Sequence, residues 1–96
     1  MTVTLSTHVL DTALGRPAVG VQVDVLGQDG IVATLVTDAD GRARLENPLD
    51  PGRYRVAFHP PSPFFTRVEL ELVLTDGHYH VPLLVSPFGC ASYRGT

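Results

Sequence analysis

Apolar and polar side chains alternate along most of this 96-residue sequence, and turn-forming residues interrupt the alternation at short intervals. The clearest run places Val19, Val21, Val23 and Val25 at every second position. Because successive side chains of an extended strand point to opposite faces, this spacing puts all four valines on one face, against a core. The same period recurs in nearly every segment and leaves little room for helix. The sequence therefore predicts an all-β fold.

Turn sequences divide the chain into seven or eight short strands, and Asp76-Gly77 is a strong example of a hairpin turn. Many short strands separated by such turns are typical of a two-sheet antiparallel β-sandwich with little or no helix. We expect Ile31–Thr37, which is apolar on both faces, to be buried on each side, and His78–Val85 to form one strand. Since a chain of this length encloses a single core, residues 1–96 are expected to form one domain.

Composition and charge argue against several kinds of partner. The chain carries seven Lys and Arg against ten Asp and Glu, a net charge of −3, whereas nucleic-acid binding usually needs a basic surface. No apolar run approaches the roughly 20 residues that cross a bilayer, so no membrane partner is expected. Cys90 is the only cysteine and cannot form an internal disulfide. Together with an N-terminus that lacks the features of a signal peptide, this predicts a cytoplasmic protein.

The groups able to perform chemistry are few, and they point to histidine and arginine. Alternation places His8 and His80 opposite the apolar faces of their strands, and Arg42 and Arg44 emerge side by side from a turn. Histidine exchanges protons near neutral pH, since its ordinary pKa is about 6.5. A guanidinium holds substrate oxygens and stabilises an oxyanion. The combination suits hydrolysis of a polarised carbonyl in an anionic ring, although a lone surface histidine is more often a solvated residue without a role.

Other site chemistries lack part of their residue set. His78 and His80 share a strand face at a spacing that two zinc ligands can span, but no third or fourth ligand is evident, so no metal is expected. Cys90 has no adjacent base, and no Gly-X-Ser-X-Gly nucleophile motif occurs. Gly41 and Gly52 belong to turns and not to a phosphate-binding loop. A histidine and arginine site remains the main hypothesis from the residues themselves.

Three separated stretches of the sequence carry a resemblance to a known family. The first comprises Ser6–Thr12 and Gly15–Ala18, the second is the turn Thr37–Arg42, and the third extends from His78–Pro87 to Tyr93–Thr96. These stretches resemble the N-terminal, central and C-terminal signatures of the 5-hydroxyisourate hydrolases, also called transthyretin-like proteins. The resemblance covers both termini and the middle of the chain, so it implies a transthyretin-like sandwich over the whole domain.

The resemblance also implies which residues form the site. The catalytic residues would be His8, Arg42 and His80, with the histidines activating water and transferring protons and the guanidinium binding substrate and stabilising the oxyanion. These three would contact the substrate as well. The implied substrate-binding set is completed by the terminal residues Tyr93, Arg94, Gly95 and Thr96. Thr96 replaces the usual terminal serine of the family, which keeps the hydroxyl and adds a methyl group.

Reaction and assembly follow from the same resemblance. The implied reaction opens the six-membered ring of 5-hydroxyisourate by amide hydrolysis, gives 2-oxo-4-hydroxy-4-carboxy-5-ureidoimidazoline in urate degradation, and requires no cofactor. The implied assembly is a homotetramer, a dimer of dimers with its sites at the dimer–dimer interface. Two other functions are possible for such a sandwich, a transthyretin-like carrier of small molecules and a non-catalytic interaction module. The terminal tetrapeptide and both histidines argue against the carrier, and the module leaves the histidine and arginine stretches unexplained.

Overall fold

The computed structural model describes residues 1–96 and contains ten β-strands and no helix. The strands are β1 (Val3–Asp11), β2 (Arg16–Pro17), β3 (Gln22–Gly27), β4 (Gly30–Val36), β5 (Arg42–Arg44), β6 (Gly52–Phe58), β7 (Val68–Leu74), β8 (Gly77–His80), β9 (Leu83–Ser86) and β10 (Gly89–Ser92). They form two sheets around a shared apolar core, which confirms the predicted all-β, two-sheet architecture. The structure holds no helix with the length and hydropathy that crossing a bilayer requires.

The first sheet is organised around β1, its longest strand. Both β2 and β5 pair with β1 in antiparallel fashion, whereas β8 and β9 run parallel to it. The parallel pairing is possible because most of the chain lies between β1 and β8 and can return it to the same end of the sheet. Strand β10 pairs with β9 and forms the outer edge. The N-terminal, central and C-terminal stretches of the sequence are therefore brought together on this one sheet.

The second sheet is a four-stranded antiparallel sheet in the order β4-β3-β6-β7. Its two central strands direct Val23, Val25, Val56 and Phe58 into the core, where each is essentially free of solvent contact. Burial of each such side chain is worth about 1.5 to 3 kcal/mol. This sheet supplies five of the fifteen residues of the buried core and no residue of the candidate site.

The core fixes which face of β1 is available for chemistry. The inward positions Val3, Leu5, Thr7 and Val9 are at most 4% exposed, whereas Thr4, Ser6 and His8 between them are half-buried. Because side chains alternate across a strand, burying one set forces the other set onto the opposite face of the first sheet. A register slip of one residue would exchange the two faces, so the core holds the outward residues of β1 in place.

Val19 does not belong to the buried valine stripe that the sequence predicts. Its side chain is 64% exposed, whereas Val21, Val23 and Val25 are buried as predicted. Gly20 adopts a positive φ of 75°, which turns the chain between Val19 and the start of β3. The alternation in the sequence continues through this glycine, but the extended backbone does not.

The expectation that Ile31–Thr37 is buried on both sides is wrong. Strand β4 is an edge strand of the second sheet, and Ile31, Val32 and Val36 are exposed. Apolar residues on both faces of a strand predict burial only if a layer covers each face, and nothing in a single chain covers the outer face of β4.

The predicted strand His78–Val85 is divided into β8 and β9 at Pro82. The Val81 N–H still donates to the Ser6 carbonyl at 2.9 Å, and the pairing with β1 is interrupted over Val81 and Pro82 before it resumes at the same offset. The hydroxyl of Thr7 donates to the Val81 carbonyl at 2.6 Å and replaces the missing ladder bond there. This interruption, together with the two-residue strand β2, accounts for ten strands where seven or eight were predicted.

Candidate functional site

The outward face of β1 carries Thr4, Ser6 and His8 at successive alternate positions. Each is half-buried, since neighbouring strands flank β1 on both sides. These three polar side chains lie on the face of the first sheet that points away from the core, and they form the middle column of the candidate site. The neighbouring strands determine what meets them.

Strand β8 brings two histidines to one side of this column. In the parallel register His78 lies beside Thr4, and His80 lies beside Ser6. Pairing also explains why the intervening Tyr79 packs against the core, because it faces Leu5 on the inward side. The sequence prediction that His78 and His80 share one polar face is therefore confirmed by the backbone pairing.

Strand β5 brings two arginines to the other side of the column. In the antiparallel register Arg42 lies beside His8, and Arg44 lies beside Ser6. Residues directly opposite across a ladder have Cβ atoms about 4.5 to 5.5 Å apart, so their side chains interact. The first sheet thus places His8, Arg42 and His80 on one face, which the sequence alone could not establish.

Hydrogen bonds join the two histidines of β8 to β1. Nδ1 of His80 lies 2.8 Å from the Ser6 hydroxyl, which in turn lies 2.9 Å from Nε2 of His78. Nδ1 of His78 is 2.7 Å from the Thr4 hydroxyl. These three contacts hold both imidazole rings in fixed orientations, and His80 has no other side-chain hydrogen bond.

His8 differs from the other site histidines because its Nε2 atom is shielded from solvent and has no hydrogen-bond partner within the chain. Buried polar atoms are nearly always paired, since leaving one unpaired costs roughly 1 to 3 kcal/mol. Within this polar cluster the atom is therefore available to bond to water or to a bound molecule.

The loop before β5 positions Arg42. The Asp38 carboxylate accepts hydrogen bonds from the backbone N–H groups of Asp40 and Arg42 at 2.9 and 3.0 Å. These bonds, that from Arg42 foremost, hold the pKa of Asp38 below its usual range, so the carboxylate stays charged and keeps the turn closed. Gly41 completes the turn with a φ of 74°, where an added Cβ would lie 2.5 Å from the Val9 carbonyl oxygen.

The electrostatic environment favours the neutral form of His80. Burial lowers the pKa of this histidine below 6.5, and the neighbouring charges of Arg42, His8 and His78 lower it further. A neutral imidazole retains a lone pair and can accept a proton at neutral pH. Because Nδ1 is engaged by Ser6, the nitrogen available for that purpose is Nε2.

The C-terminal residues divide between two sides of β8. The Gly95 N–H donates to the His80 carbonyl at 2.7 Å, and a Cβ at position 95 would lie 2.6 Å from Cδ2 of the His80 ring. Gly95 packs so closely against the His80 ring that no side chain fits between them, and this position therefore requires glycine. Thr96 follows it at the exposed end of the chain.

Within the single chain Tyr93 and Arg94 do not lie beside the histidines, and their part in substrate binding stays a prediction. The Arg94 guanidinium lies 4.2 Å above the Tyr79 ring, on the side of β8 opposite His78 and His80. Its Nη2 atom donates to the His78 carbonyl at 3.3 Å. Both residues instead line a cleft of about 470 Å³ beside β7, because the chain turns around the edge of β8 before Gly95.

Ser6 is the site residue that sequence reasoning missed. It lies two positions before His8 and therefore on the same strand face, which was visible in the alternation. What the alternation could not reveal was the parallel pairing of β1 with β8, which places Ser6 between two imidazoles.

Comparison with known proteins settles the family. A model described as "HIUase/Transthyretin family" matches residues 5–95. The chain belongs to the HIUase/Transthyretin family. This confirms the family that the three sequence stretches suggested.

Members of the family that resemble this chain include both hydrolases and transthyretins. A 5-hydroxyisourate hydrolase of Caulobacter vibrioides is 45% identical over 112 residues, which cover 96% of this chain and 97% of that protein. The structure of Klebsiella pneumoniae 5-hydroxyisourate hydrolase has a TM-score of 0.88 at 37% identity, covering 98% of this chain and 99% of the other. Sea bream transthyretin in complex with thyroxine has a TM-score of 0.78 at 30% identity, covering 95% and 93%.

Proposed function

We propose that this protein is a hydrolase that opens the six-membered ring of 5-hydroxyisourate in urate degradation. The observation that carries the proposal is the placement of His8, Arg42 and His80 on one face of the first sheet. Near-full-length similarity to 5-hydroxyisourate hydrolases at up to 45% identity supports the same substrate. The product is 2-oxo-4-hydroxy-4-carboxy-5-ureidoimidazoline, and the residues of the site supply the acid, base and cationic groups that the reaction uses.

In the proposed mechanism His80 is the group that activates water. Its low pKa keeps the ring neutral, so Nε2 accepts a proton from water as the water oxygen bonds to the amide carbon. The Arg42 guanidinium holds substrate oxygens and stabilises the charge that develops on the carbonyl oxygen. His8, beside Arg42, offers its unpaired Nε2 to the substrate and takes part in proton transfer. As the ring C–N bond breaks, the leaving nitrogen receives a proton from a histidine of the site.

The four C-terminal residues have different parts in the proposed site. Gly95 contributes by its contact with the His80 ring, and Thr96 lies next to it, where its hydroxyl can serve substrate binding. Tyr93 and Arg94 line the cleft on the opposite side of β8 in the single chain, so we assign them no contact with substrate from the same chain.

We further propose that the protein assembles as a homotetramer, a dimer of dimers, with its sites at the dimer–dimer interface. Leu14 and Phe88 are 62% and 73% exposed, and both lie in turns at one end of the first sheet because β1 and β9 are parallel. Exposed large apolar groups at one end of the site-bearing sheet favour a second subunit there. A cytoplasmic location is part of the proposal and rests on the single cysteine, Cys90, which remains a free thiol.

Transport of a small molecule is the rival function, favoured by the likeness to sea bream transthyretin in complex with thyroxine. The two functions are separated by following the absorbance decay of freshly generated 5-hydroxyisourate with and without the protein, beside a thyroxine titration. The proposal predicts accelerated decay in proportion to protein concentration. Decay at the uncatalysed rate in the presence of the folded oligomer would contradict it, and saturable thyroxine binding would then favour the carrier.

A further inference from the structure

An unbroken chain of hydrogen bonds leads away from the proposed catalytic base. It begins at Nδ1 of His80, passes through the Ser6 hydroxyl to Nε2 of His78, and continues from Nδ1 of His78 to the Thr4 hydroxyl. The three distances are 2.8, 2.9 and 2.7 Å, each within the range of a good hydrogen bond. His80 lies at the half-buried end of the chain, and His78 lies at the exposed end.

The number of protons on these groups gives the chain a direction. A serine hydroxyl has one proton to donate, and a neutral imidazole carries a proton on only one nitrogen. If Nε2 of His80 is to accept a proton from water, its own proton must reside on Nδ1 and be donated to Ser6. The Ser6 proton then points to Nε2 of His78, whose Nδ1–H donates to Thr4. Every member of the chain is satisfied in this arrangement.

We propose that Ser6 and His78 are positioning residues that hold His80 in its Nδ1-protonated form and relay its proton toward the surface during catalysis. The proposal deepens the function given above and rests on His80 being the base of that reaction. Ser6 and His78 do not touch the reacting atoms; they act through His80 alone.

The relay consists of three coupled proton transfers. His80 takes a proton from water on Nε2 while the water oxygen bonds to the amide carbon. Its Nδ1 proton passes to the Ser6 oxygen as the Ser6 proton passes to Nε2 of His78. His80 is then neutral with its proton on Nε2. As it donates that proton to the leaving nitrogen and the C–N bond breaks, a proton moves back from Nε2 of His78 through Ser6 to Nδ1 of His80, so the ring stays neutral. The positive charge resides on His78 until a proton returns along the same path, so the relay is restored without any other reactant.

The charges around His80 explain why such a relay is useful. Arg42 and His8 face it across β1, Arg44 lies beside Ser6 on β5, and Arg94 bonds to the backbone of His78. No carboxylate bonds to any member of the chain, so an imidazolium at His80 has no hydrogen-bonded counter-ion. Transfer of the charge to the exposed His78 reduces that repulsion at the catalytic position.

The variants Ser6→Ala, Ser6→Thr and His78→Gln test the relay. We expect Ser6→Ala and His78→Gln to lower kcat by about tenfold to hundredfold with KM nearly unchanged, because they remove proton transfer and not substrate contacts. Ser6→Thr keeps the hydroxyl and should restore most of the activity, which separates the relay from a packing role. The acid limb of the kcat/KM profile should move in Ser6→Ala, since the hydrogen bond to His80 is lost.

A second readout does not depend on hydrolysis. Long-range proton–nitrogen NMR spectra of the tetramer report which ring nitrogen of each histidine is protonated, and we expect Nδ1–H for His80 in the wild-type protein and a mixture of both forms in Ser6→Ala. If the wild-type protein hydrolyses 5-hydroxyisourate and Ser6→Ala keeps its kcat and its NMR spectrum, the relay is wrong and the proposed function stands. If His80 shows the expected form but no hydrolysis occurs, the proposed function is wrong. A wild-type His80 protonated on Nε2 alone would also overturn the relay.

Discussion

At the scale of single residues, the position of His80 is set from two directions. Ser6 holds the ring through Nδ1, and Gly95 packs against its opposite edge at a distance that no side chain could share. Catalysis by a positioned base is sensitive to small displacements of this kind. The residues that hold His80 are therefore as informative about the site as the histidine itself.

Substitution of Gly95 by alanine should displace the His80 ring. The added Cβ would lie 2.6 Å from Cδ2 of His80, so either the ring shifts against its bond to Ser6 or the backbone at residue 95 moves away from it. We expect Gly95→Ala to lower kcat at least tenfold while changing the free energy of unfolding by less than about 1 kcal/mol, because the residue is next to the chain terminus. Gly52→Ala is the matched control, since its Cβ would make only an ordinary contact at 3.8 Å. Equal activity in the two variants would mean that the Gly95 contact does not position His80.

The pKa of His80 predicts the pH dependence of the reaction. The neutral ring is the active form, and its pKa lies below 6.5 because of burial and the nearby positive charges. The kcat/KM value should therefore be independent of His80 titration at pH 7 and fall as the pH drops through the lowered pKa. Protonation is less favourable in the folded state than in the unfolded state, so stability should decrease as the pH falls from about 6.5 to the lowered pKa and level off below it. An acid limb centred above 6.5 would contradict this assignment.

At the scale of structural elements, two turns with nearly the same backbone conformation differ in what surrounds them. Gly20 and Gly41 have φ values of 75° and 74°, but only Gly41 is enclosed, by the Val9 carbonyl and Pro17. We expect Gly20→Ala to cost about 1 kcal/mol through backbone strain alone. Gly41→Ala should cost roughly 2 to 4 kcal/mol because steric overlap is added.

Activity separates these two variants further, since Gly41 precedes Arg42 and Gly20 does not border the site. Gly41→Ala should lose substrate binding, seen as a raised KM at temperatures where it remains folded, whereas Gly20→Ala should match the wild-type protein. Thermal unfolding followed by circular dichroism gives the stability difference. Equal stability losses in the two variants would contradict the close packing of the Asp38–Arg42 turn.

Strand assignment from sequence succeeded where a core selected one face of a strand. The inward residues of β1 and the valines of β3 alternate without interruption, and each of their faces is as predicted. It failed where burial depends on a layer that the sequence does not reveal, as for the exposed Ile31 of β4. Pairing between strands that are distant in sequence could not be predicted either. It is the pairing of β1 with β8 that brings Ser6 next to His80.

The candidate site residues could be predicted where the sequence pattern that marks them spans only a few neighbouring residues. The histidines and Arg42 follow from strand faces and an Asp-Gly-Arg turn within a few residues. Tyr93 and Arg94 belong to the same terminal stretch as Gly95, yet Arg94 stacks on Tyr79 because the chain rounds the edge of β8. Sequence proximity to a site therefore did not determine which face a side chain occupies.

At the scale of the whole molecule, the proposed tetramer should depend on the apolar end of the first sheet. Phe88 lies there with 73% of its surface exposed, and its ring centroid is 5.9 Å from that of Phe64. Phe88→Asp should shift the assembly to smaller species, because a carboxylate would be buried in the interface. Light scattering after gel filtration measures the mass of the assembly and so checks this prediction. The Phe64→Asp variant is measured in the same way for comparison. A Phe88→Asp protein that remains a tetramer would place the interface elsewhere.

His80 is the proposed base in hydrolysis of 5-hydroxyisourate, and a comparison of two histidine variants tests this role. His59 lies on the second sheet bonded to Asp24 at 3.0 Å, away from the site, so His59→Gln controls for loss of an imidazole. In a stopped-flow assay of freshly generated substrate, the account predicts that His80→Gln lowers kcat by about 100-fold or more and that His59→Gln does not. A folded His80→Gln protein with wild-type kcat would contradict the account.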